Sequence, residues 1–303
     1  MNIGFIGTGV MGSRMVIRLL EGGYRVTVFN RSPEKLVPLI KLGANRAEDI
    51  KSLAHQADII CTCLSMPKDS IEVYLGPDGV INYAKANTIC IDFSTVGADT
   101  SKKIFAEARE KEVHFLDAPV SGGPEGVEQS SLTIMVGGER DSFVQVLPML
   151  NVLGSNVEYL GPSGSGSIAK LINQYLVAVH SIAASEAMVA GAALGLDSEQ
   201  LYHLLKVSYG TSRMLERHME QYVLDRKFEP GGAVKYVHKD VVLANRLLES
   251  AGIKEHLGQL AEQSFYHAVQ NGLADLDMSA VIQPLEEKCH VVVQRKSEVE
   301  RGK

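Results

Sequence analysis

The stretch GFIGTGVMGSRM, residues 4–15, decides the fold. It places Gly7, Gly9 and Gly12 in the spacing G-x-G-x-x-G, after an apolar run (Asn2–Ile6) and before a helix-length stretch from Val10 to Leu20. A glycine triplet alone is a weak signal; between a strand and a helix it is a strong one. Gly7 permits a tight turn, Gly9 lets the backbone approach a pyrophosphate, and Gly12 lets the helix pack closely on the strand. The anion then rests on the free N–H groups that open the helix. Thr8, Val10 and Met11 complete this dinucleotide-binding segment.

The next strand, YRVTVFN (24–30), runs into Asn30, Arg31 and Ser32, where an adenosine ribose is handled. An acid there would hold the 2′-hydroxyl of NAD. Asn30 brings no negative charge to repel a 2′-phosphate, and Arg31 can donate to one and stack on adenine. The reading is therefore NADP in preference to NAD.

Further apolar or β-branched runs follow at Ile59–Leu64, Ile89–Asp92, His114–Ala118 and Leu132–Gly137, with helix-length segments between them and a helix near Asp141–Leu153. That alternation predicts βαβ units: an α/β, doubly wound parallel sheet of the Rossmann type, covered on both faces. Ser65, Met66 and Pro67 follow one strand, and Ser94 and Thr95 follow another. Both sites are carboxyl ends of parallel strands, where open α/β sheets bind ligands. From Gly166 onward, alanine, leucine, glutamate and lysine recur at helical spacing. Ala169, Ile172, Leu176, Val179 and Ala183 form one apolar stripe, and small residues from Ala183 to Gly191 would let another helix approach closely. The expectation is a Rossmann domain over 1–163, an all-α C-terminal domain over 164–293 with four to six helices after the long one, and a charged tail over 294–303. The break falls in GPSGSGS (161–167), whose glycines and Pro162 do not continue a regular element.

The chain has 303 residues, 45% hydrophobic and 22% charged, with a net charge of −6. At about 150 residues per domain this fits two domains. It supplies enough apolar material to exclude disorder as the main state. A negative balance argues against a general nucleic-acid binder. The longest apolar stretch carries Lys170, Asn173, Gln174, His180 and Glu186, which argues against a membrane span. The N-terminus has no basic leader or apolar signal core. The 4 cysteines have neither disulfide nor zinc spacing, and the 9 histidines show no metal pattern. A cytoplasmic protein without a metal is expected.

Three later motifs carry a resemblance to a known family. They are DAPVSGGPEGVEQSSLTIMVGG (117–138), GSGSIAKLINQ (164–174) and HKDVVLA (238–244), with DMSAVI (277–282) near the end. With the glycine fingerprint, these resemble the β-hydroxyacid dehydrogenases of the 3-hydroxyisobutyrate dehydrogenase and tartronate semialdehyde reductase type. The likeness spans about residues 2–285. It implies a two-domain enzyme that moves a hydride between NAD(P) and a small 3-hydroxy acid or its semialdehyde, with the site in a cleft between the domains. It also implies that Ser65, Met66, Pro67 and Thr95 serve the cofactor and that Lys239 lies near the nicotinamide. The chain departs from the pattern at Gln174, where the family has a second asparagine. It departs also at Val127 and Ser130, and at Gly232, in place of an aromatic. This last change is expected to open the pocket beside the nicotinamide.

Hydride transfer requires one proton to move. Lys170 is the candidate general acid/base: its ammonium polarises a carbonyl oxygen and protonates the developing alkoxide, and its neutral amine takes the proton in the reverse direction. Asn173 and Gln174, at i+3 and i+4, can share its helix face and hold the lysine or the substrate oxygen; the resemblance favours Asn173 as the catalytic amide. Pro119 is expected to end the ladder of the preceding strand. After it, Ser121, Gly122 and Gly123 offer a hydroxyl and backbone N–H groups to a carboxylate, so the expected partner is a small anionic substrate. Tyr209, Ser212 and Arg213 are assigned to a loop that lines the specificity pocket. The spacing of Tyr202 and Lys206 matches another dehydrogenase class but lies in the helical half and is read as helix surface. The Ala-rich helix offers apolar faces for a homodimer or homotetramer. Two alternatives stand beside this reading: an imine reductase of the same two-domain plan, and a non-catalytic dinucleotide-binding scaffold. Lys170 and the Ser121–Gly123 loop favour the hydroxy acid.

Overall fold

The computed structural model describes residues 1–229 and 231–296; Pro230 and the expected tail from 297 onward lie outside the described residues. The chain divides into two compact units, Met1–Leu171 and Ile172–Lys303.

The first unit runs β1 (Asn2–Ile6), α1 (Val10–Glu21), β2 (Arg25–Phe29), α2 (Val37–Lys41), β3 (Asn45–Arg46), α3 (Ile50–Gln56), β4 (Ile59–Thr62), α4 (Pro67–Leu75), α5 (Val80–Tyr83), β5 (Ile89–Asp92) and α6 (Ala98–Glu110). It continues through β6 (His114–Asp117), β7 (Val120–Ser121), α7 (Gly123–Glu128), β8 (Thr133–Gly138), α8 (Arg140–Leu153), β9 (Asn156–Gly161) and the start of α9 (Ser165–Ala193). The sheet order is β3-β2-β1-β4-β5-β6-β8-β7, with β9 beside β8. From β3 to β6 every pairing is parallel. The winding reverses between β1 and β4, and the crevice outside their carboxyl ends is the ligand position of such sheets. This is a doubly wound Rossmann sheet.

The strands are apolar on both faces because both are covered. Ile3, Phe5, Cys61 and Ile91 enter one core with Met15, Leu19 and Leu150, while Ile6, Ile60, Cys90 and Phe115 enter the other with Leu53, Tyr74 and Ile104. Burial pushes the Cys61 and Cys90 thiols above their ordinary range, as core cysteines require. Two details of the sheet depart from the expectation of a wholly parallel one: β8 runs antiparallel to β6 and to β7. β6 and β7 run in one direction along β8, interrupted only at Ala118 and Pro119, and the chain returns through α7 to pair with both in the opposite sense.

The second unit contains the remainder of α9, then α10 (Ser198–Lys206), α11 (Arg213–His218), α12 (Val234–Ser250), α13 (Gly258–Ala268) and α14 (Gln283–Cys289). α9 is long and apolar enough to cross a membrane by those two measures alone. Its expected stripe is largely exposed: Ile172 is 50% and Leu176 45% exposed, Ala183 is exposed too, and Ala169 and Val179 are half-buried, Val179 against the core. The buried side instead carries Leu171, Gln174, Ala178, Ser181, Ser185 and Met188. Serine hydroxyls tolerate that burial because Ser181 and Ser185 donate back to the carbonyls of Val177 and Ser181. Asp277, fully buried, accepts both Arg217 nitrogens at 2.9 and 2.7 Å and the backbone N–H groups of Gly231, Gly232 and Ser279. It thereby ties down the segment that leads into α12.

Candidate active site

The glycine segment forms the turn from β1 into α1. Gly7 sits at φ +94°, and a Cβ there would lie 2.4 Å from the Cys63 carbonyl oxygen. A Cβ on Gly12 would lie 2.0 Å from the Gly7 carbonyl oxygen. Packing thus demands both glycines. Gly9 differs: a Cβ there meets nothing within 4 Å. Gly9 is the N-cap of α1, which has no side-chain cap and no acid in its first turn, so the turn offers N–H groups to an anion without a carboxylate in competition. These residues fit the pyrophosphate of a dinucleotide.

Asn30 braces this turn. Its amide donates to Thr8 Oγ1 at 2.8 Å and its oxygen accepts from the Ser32 N–H at 2.9 Å. The Arg31 side chain is 85% exposed and lies 3.6 Å from Asp69, an exposed contact weak enough to yield to a phosphate. Met66 caps α4 and Pro67 opens it. The Leu64 N–H donates to Ser94 Oγ at 2.8 Å, which joins the loops after β4 and β5. Beneath them lies Asp92, a buried carboxylate that sequence reasoning passed over. It accepts from Thr62 Oγ1 at 2.8 Å and from the Ser94 N–H at 2.9 Å. Burial pushes its pKa up and these bonds oppose the shift.

Pro119 does not end the ladder as expected. Its carbonyl accepts from the Met135 N–H at 3.0 Å, and Ser121 lies in β7, paired with Thr133. A proline lacks only its own N–H, so its carbonyl still pairs. Gly122 and Gly123 follow at φ +134° and +67°, a path that side chains rarely take, and α7 begins at Gly123.

α9 begins at Ser165, inside the stretch expected to be irregular. Its first turn is held by Asp117, whose two carboxylate oxygens accept from the N–H groups of Gly164 at 2.7 Å and Ser167 at 2.8 Å. Lys170 follows one turn later and is only 7% exposed. In the second unit, Gln174 donates through Nε2 to Asp240 Oδ2 at 2.6 Å, and Asn173 donates through Nδ2 to Gln174 Oε1 at 3.0 Å. Lys239 Nζ lies 3.0 Å from Asp240 Oδ1. A carboxylate only accepts, so Asp240 orients both amides of this chain.

Residues 2–161 match the model for the NAD binding domain of 6-phosphogluconate dehydrogenase, and residues 164–285 match that for NAD-binding of NADP-dependent 3-hydroxyisobutyrate dehydrogenase. An uncharacterised oxidoreductase of Bacillus subtilis is 38% identical, over 87% of this chain and 91% of its own length. A 2-(hydroxymethyl)glutarate dehydrogenase of Eubacterium barkeri is 35% identical, over 96% of this chain and 97% of its own. The chain belongs to the β-hydroxyacid dehydrogenase family. A solved structure agrees: Mycobacterium tuberculosis 3-hydroxyisobutyrate dehydrogenase with L-serine superposes with a TM-score of 0.86 at 28% identity, covering 94% of this chain and 98% of that one. The family supports NAD(P)-dependent hydroxyacid dehydrogenase activity.

The departures of this dehydrogenase from the family pattern have local causes. Val127 is fully buried in the core of the first unit. Ser130, at φ +52°, donates to the Val152 carbonyl and accepts from Arg18. Beside Gly232 stands Met278, whose methyl would lie 2.6 Å from a Cβ there. Ser212 caps α11 by accepting from the Leu215 N–H, and Arg213 is the first residue of that helix rather than part of a loop. Tyr209 is fully exposed. Tyr202 is buried, not helix surface; its hydroxyl and Lys206 both donate to Glu220.

Proposed function

We propose that this protein transfers a hydride between NADP(H) and a small 3-hydroxy acid or its semialdehyde, with Lys170 as the general acid/base. The observation that carries this reading is the burial of Lys170 in the same compact unit as the glycine turn and the Ser121–Gly123 loop. A buried ammonium is costly unless it meets an opposite or polar group, which makes a buried lysine beside a ligand-binding turn a candidate for chemistry. When bound, the nicotinamide supplies or accepts the hydride. Gly7, Thr8, Gly9, Val10, Met11 and Gly12 would hold the pyrophosphate, Asn30, Arg31 and Ser32 the adenosine ribose end, and Ser65, Met66, Pro67 and Thr95 would line the cofactor along its pyrophosphate, ribose and nicotinamide. Lys239 belongs to the cofactor's machinery in this reading. Ser121, Gly122 and Gly123 would bind the substrate carboxylate, and Lys170 would deliver or take up the hydroxyl proton. Asn173 and Gln174 are assigned to the substrate side. The exposed line of Ile172, Leu176 and Ala183 on α9 supports a homo-oligomer.

Nicotinamide absorbance, followed with a panel of 3-hydroxyisobutyrate, L-serine, glyoxylate, succinic semialdehyde and cyclic imines, tests the reaction class. Turnover of the hydroxy acids or semialdehydes is expected; turnover of the imines alone would contradict it. The cofactor preference is tested by Arg31→Ala. Loss of a hydrogen bond to a charged group corresponds to roughly 1.5–3 kcal/mol, or about 10–100-fold. The expected result is a loss of that size in kcat/KM with NADPH and no change with NADH. Equal values for the two cofactors in the wild type would remove the preference.

A further inference from the structure

Asp117 ends β6 four residues before Ser121, and its carboxylate is almost fully buried. It faces two backbone donors, Gly164 N–H at 2.7 Å and Ser167 N–H at 2.8 Å, which are the groups that a helix start leaves without internal partners. The approach is too close for side chains. A Cβ on Gly166 would lie 2.2 Å from the Met135 carbonyl oxygen and 2.6 Å from that of Asp117. A Cβ on Gly137 would lie 2.8 Å from the Gly166 nitrogen. Ser101 of α6 adds a hydroxyl contact to Ser167 at 2.9 Å. The first turn of α9 is thus pressed backbone to backbone against the sheet and pinned by one carboxylate. Lys170 lies three residues beyond Ser167, on the same side of the helix.

We propose that Asp117 is a positioning residue for the reaction: it holds Lys170, through the first turn of α9, in register with the Ser121–Gly123 loop that it leads into along the chain. The inference rests on the reading of Lys170 as the general acid/base. It gives Gly166, before the lysine, a physical reason, since only a residue without Cβ allows the helix to meet the sheet this closely.

The decisive variant is Asp117→Asn. The amide keeps the shape but turns one acceptor into a donor that faces an N–H, so one of the two bonds is lost. A displacement of about 1 Å at a reacting group can cost about 10²-fold. For 3-hydroxyisobutyrate oxidation and succinic semialdehyde reduction, kcat is expected to fall about 100-fold, and the solvent isotope effect on kcat to rise as proton delivery becomes limiting. The Kd for NADPH, read from the cofactor's own fluorescence, is expected to stay within about twofold, since the glycine turn is untouched. Gly166→Ala reaches the same end by steric means and is expected to give the same split. Amide exchange in the wild type needs no variant: the Gly164 and Ser167 amides are expected to be protected with the core of the first unit. Free exchange at those two amides overturns the proposal. So does wild-type kcat in Asp117→Asn, or a loss of kcat matched by loss of NADPH binding. Lys170→Ala, assayed in parallel, separates the two readings. If it stays active, the assignment of the lysine fails and this inference with it; if it is inactive while Asp117→Asn is not, this inference fails alone.

Discussion

Lys170→Ala is expected to lower kcat by about 10²–10⁴-fold, the range that a positioned general acid or base contributes. Alanine leaves the helix intact, because it has the best helix propensity and fills no new space. It removes the one nearly buried ammonium between the anchored first turn of α9 and the amides that follow. The affinity for NADPH is expected to be unchanged, since the dinucleotide turn is built from β1 and α1. Stopped-flow turnover and equilibrium cofactor binding on the same preparation check both halves. A fall of only a few-fold would show that another group carries the proton.

The second large effect separates two glycines that a motif treats alike. Gly12→Ala places a methyl 2.0 Å from the Gly7 carbonyl oxygen. Gly7 cannot retreat, since it already sits at φ +94° against the Cys63 carbonyl. Something in the backbone must shift, and overpacking of this kind costs about 1–3 kcal/mol. Both the melting temperature and NADPH binding are expected to fall. Gly9→Ala meets no atom of the protein within 4 Å, so its melting temperature is expected to match the wild type. Its methyl occupies the space through which the pyrophosphate must approach the N–H groups of α1. The Kd for NADPH is therefore expected to rise about 100-fold, equivalent to ~3 kcal/mol. Calorimetric melting and cofactor titration of the two variants side by side measure the difference. Equal destabilisation by both would refute the division of labour.

The strands of the first unit were readable because β1, β4, β5 and β6 are buried on both faces and so appear as continuous apolar runs. The same logic hid β9, whose alternation of exposed and half-buried residues from Asn156 to Gly161 makes no such run. β3 and β7 are two residues each and carry no periodicity. Strand direction was not readable either: an apolar run from Leu132 to Gly137 says nothing about whether β8 lies parallel to its neighbours. On α9 the hydrophobic spacing picked out the exposed line through Ile172 and Leu176, because serines that bond to their own helix can be buried while leucines face outward.

The same division runs through the site. The dinucleotide glycines lie in a short local pattern that spacing located, and Lys170 was located by its glycine-rich lead-in together with the family resemblance. The groups that orient them come from far along the chain. Asp117 reaches Gly164 across 47 positions, and Gln174 reaches Asp240 across 66. Gln174, one methylene longer than the family's asparagine, shows its purpose only once its amide is seen on that carboxylate. The neighbour of Gly232 was hidden for the same reason: Met278, whose methyl lies beside it, is 46 residues away in sequence.

The most direct measurement is the structure of a ternary complex with NADP⁺ and a 3-hydroxy acid that the enzyme turns over. Lys170 Nζ is expected within hydrogen-bond distance, about 2.7–3.2 Å, of the substrate hydroxyl oxygen. An ammonium directed into bulk water, with a different donor bonded to that oxygen, would contradict the assignment of Lys170.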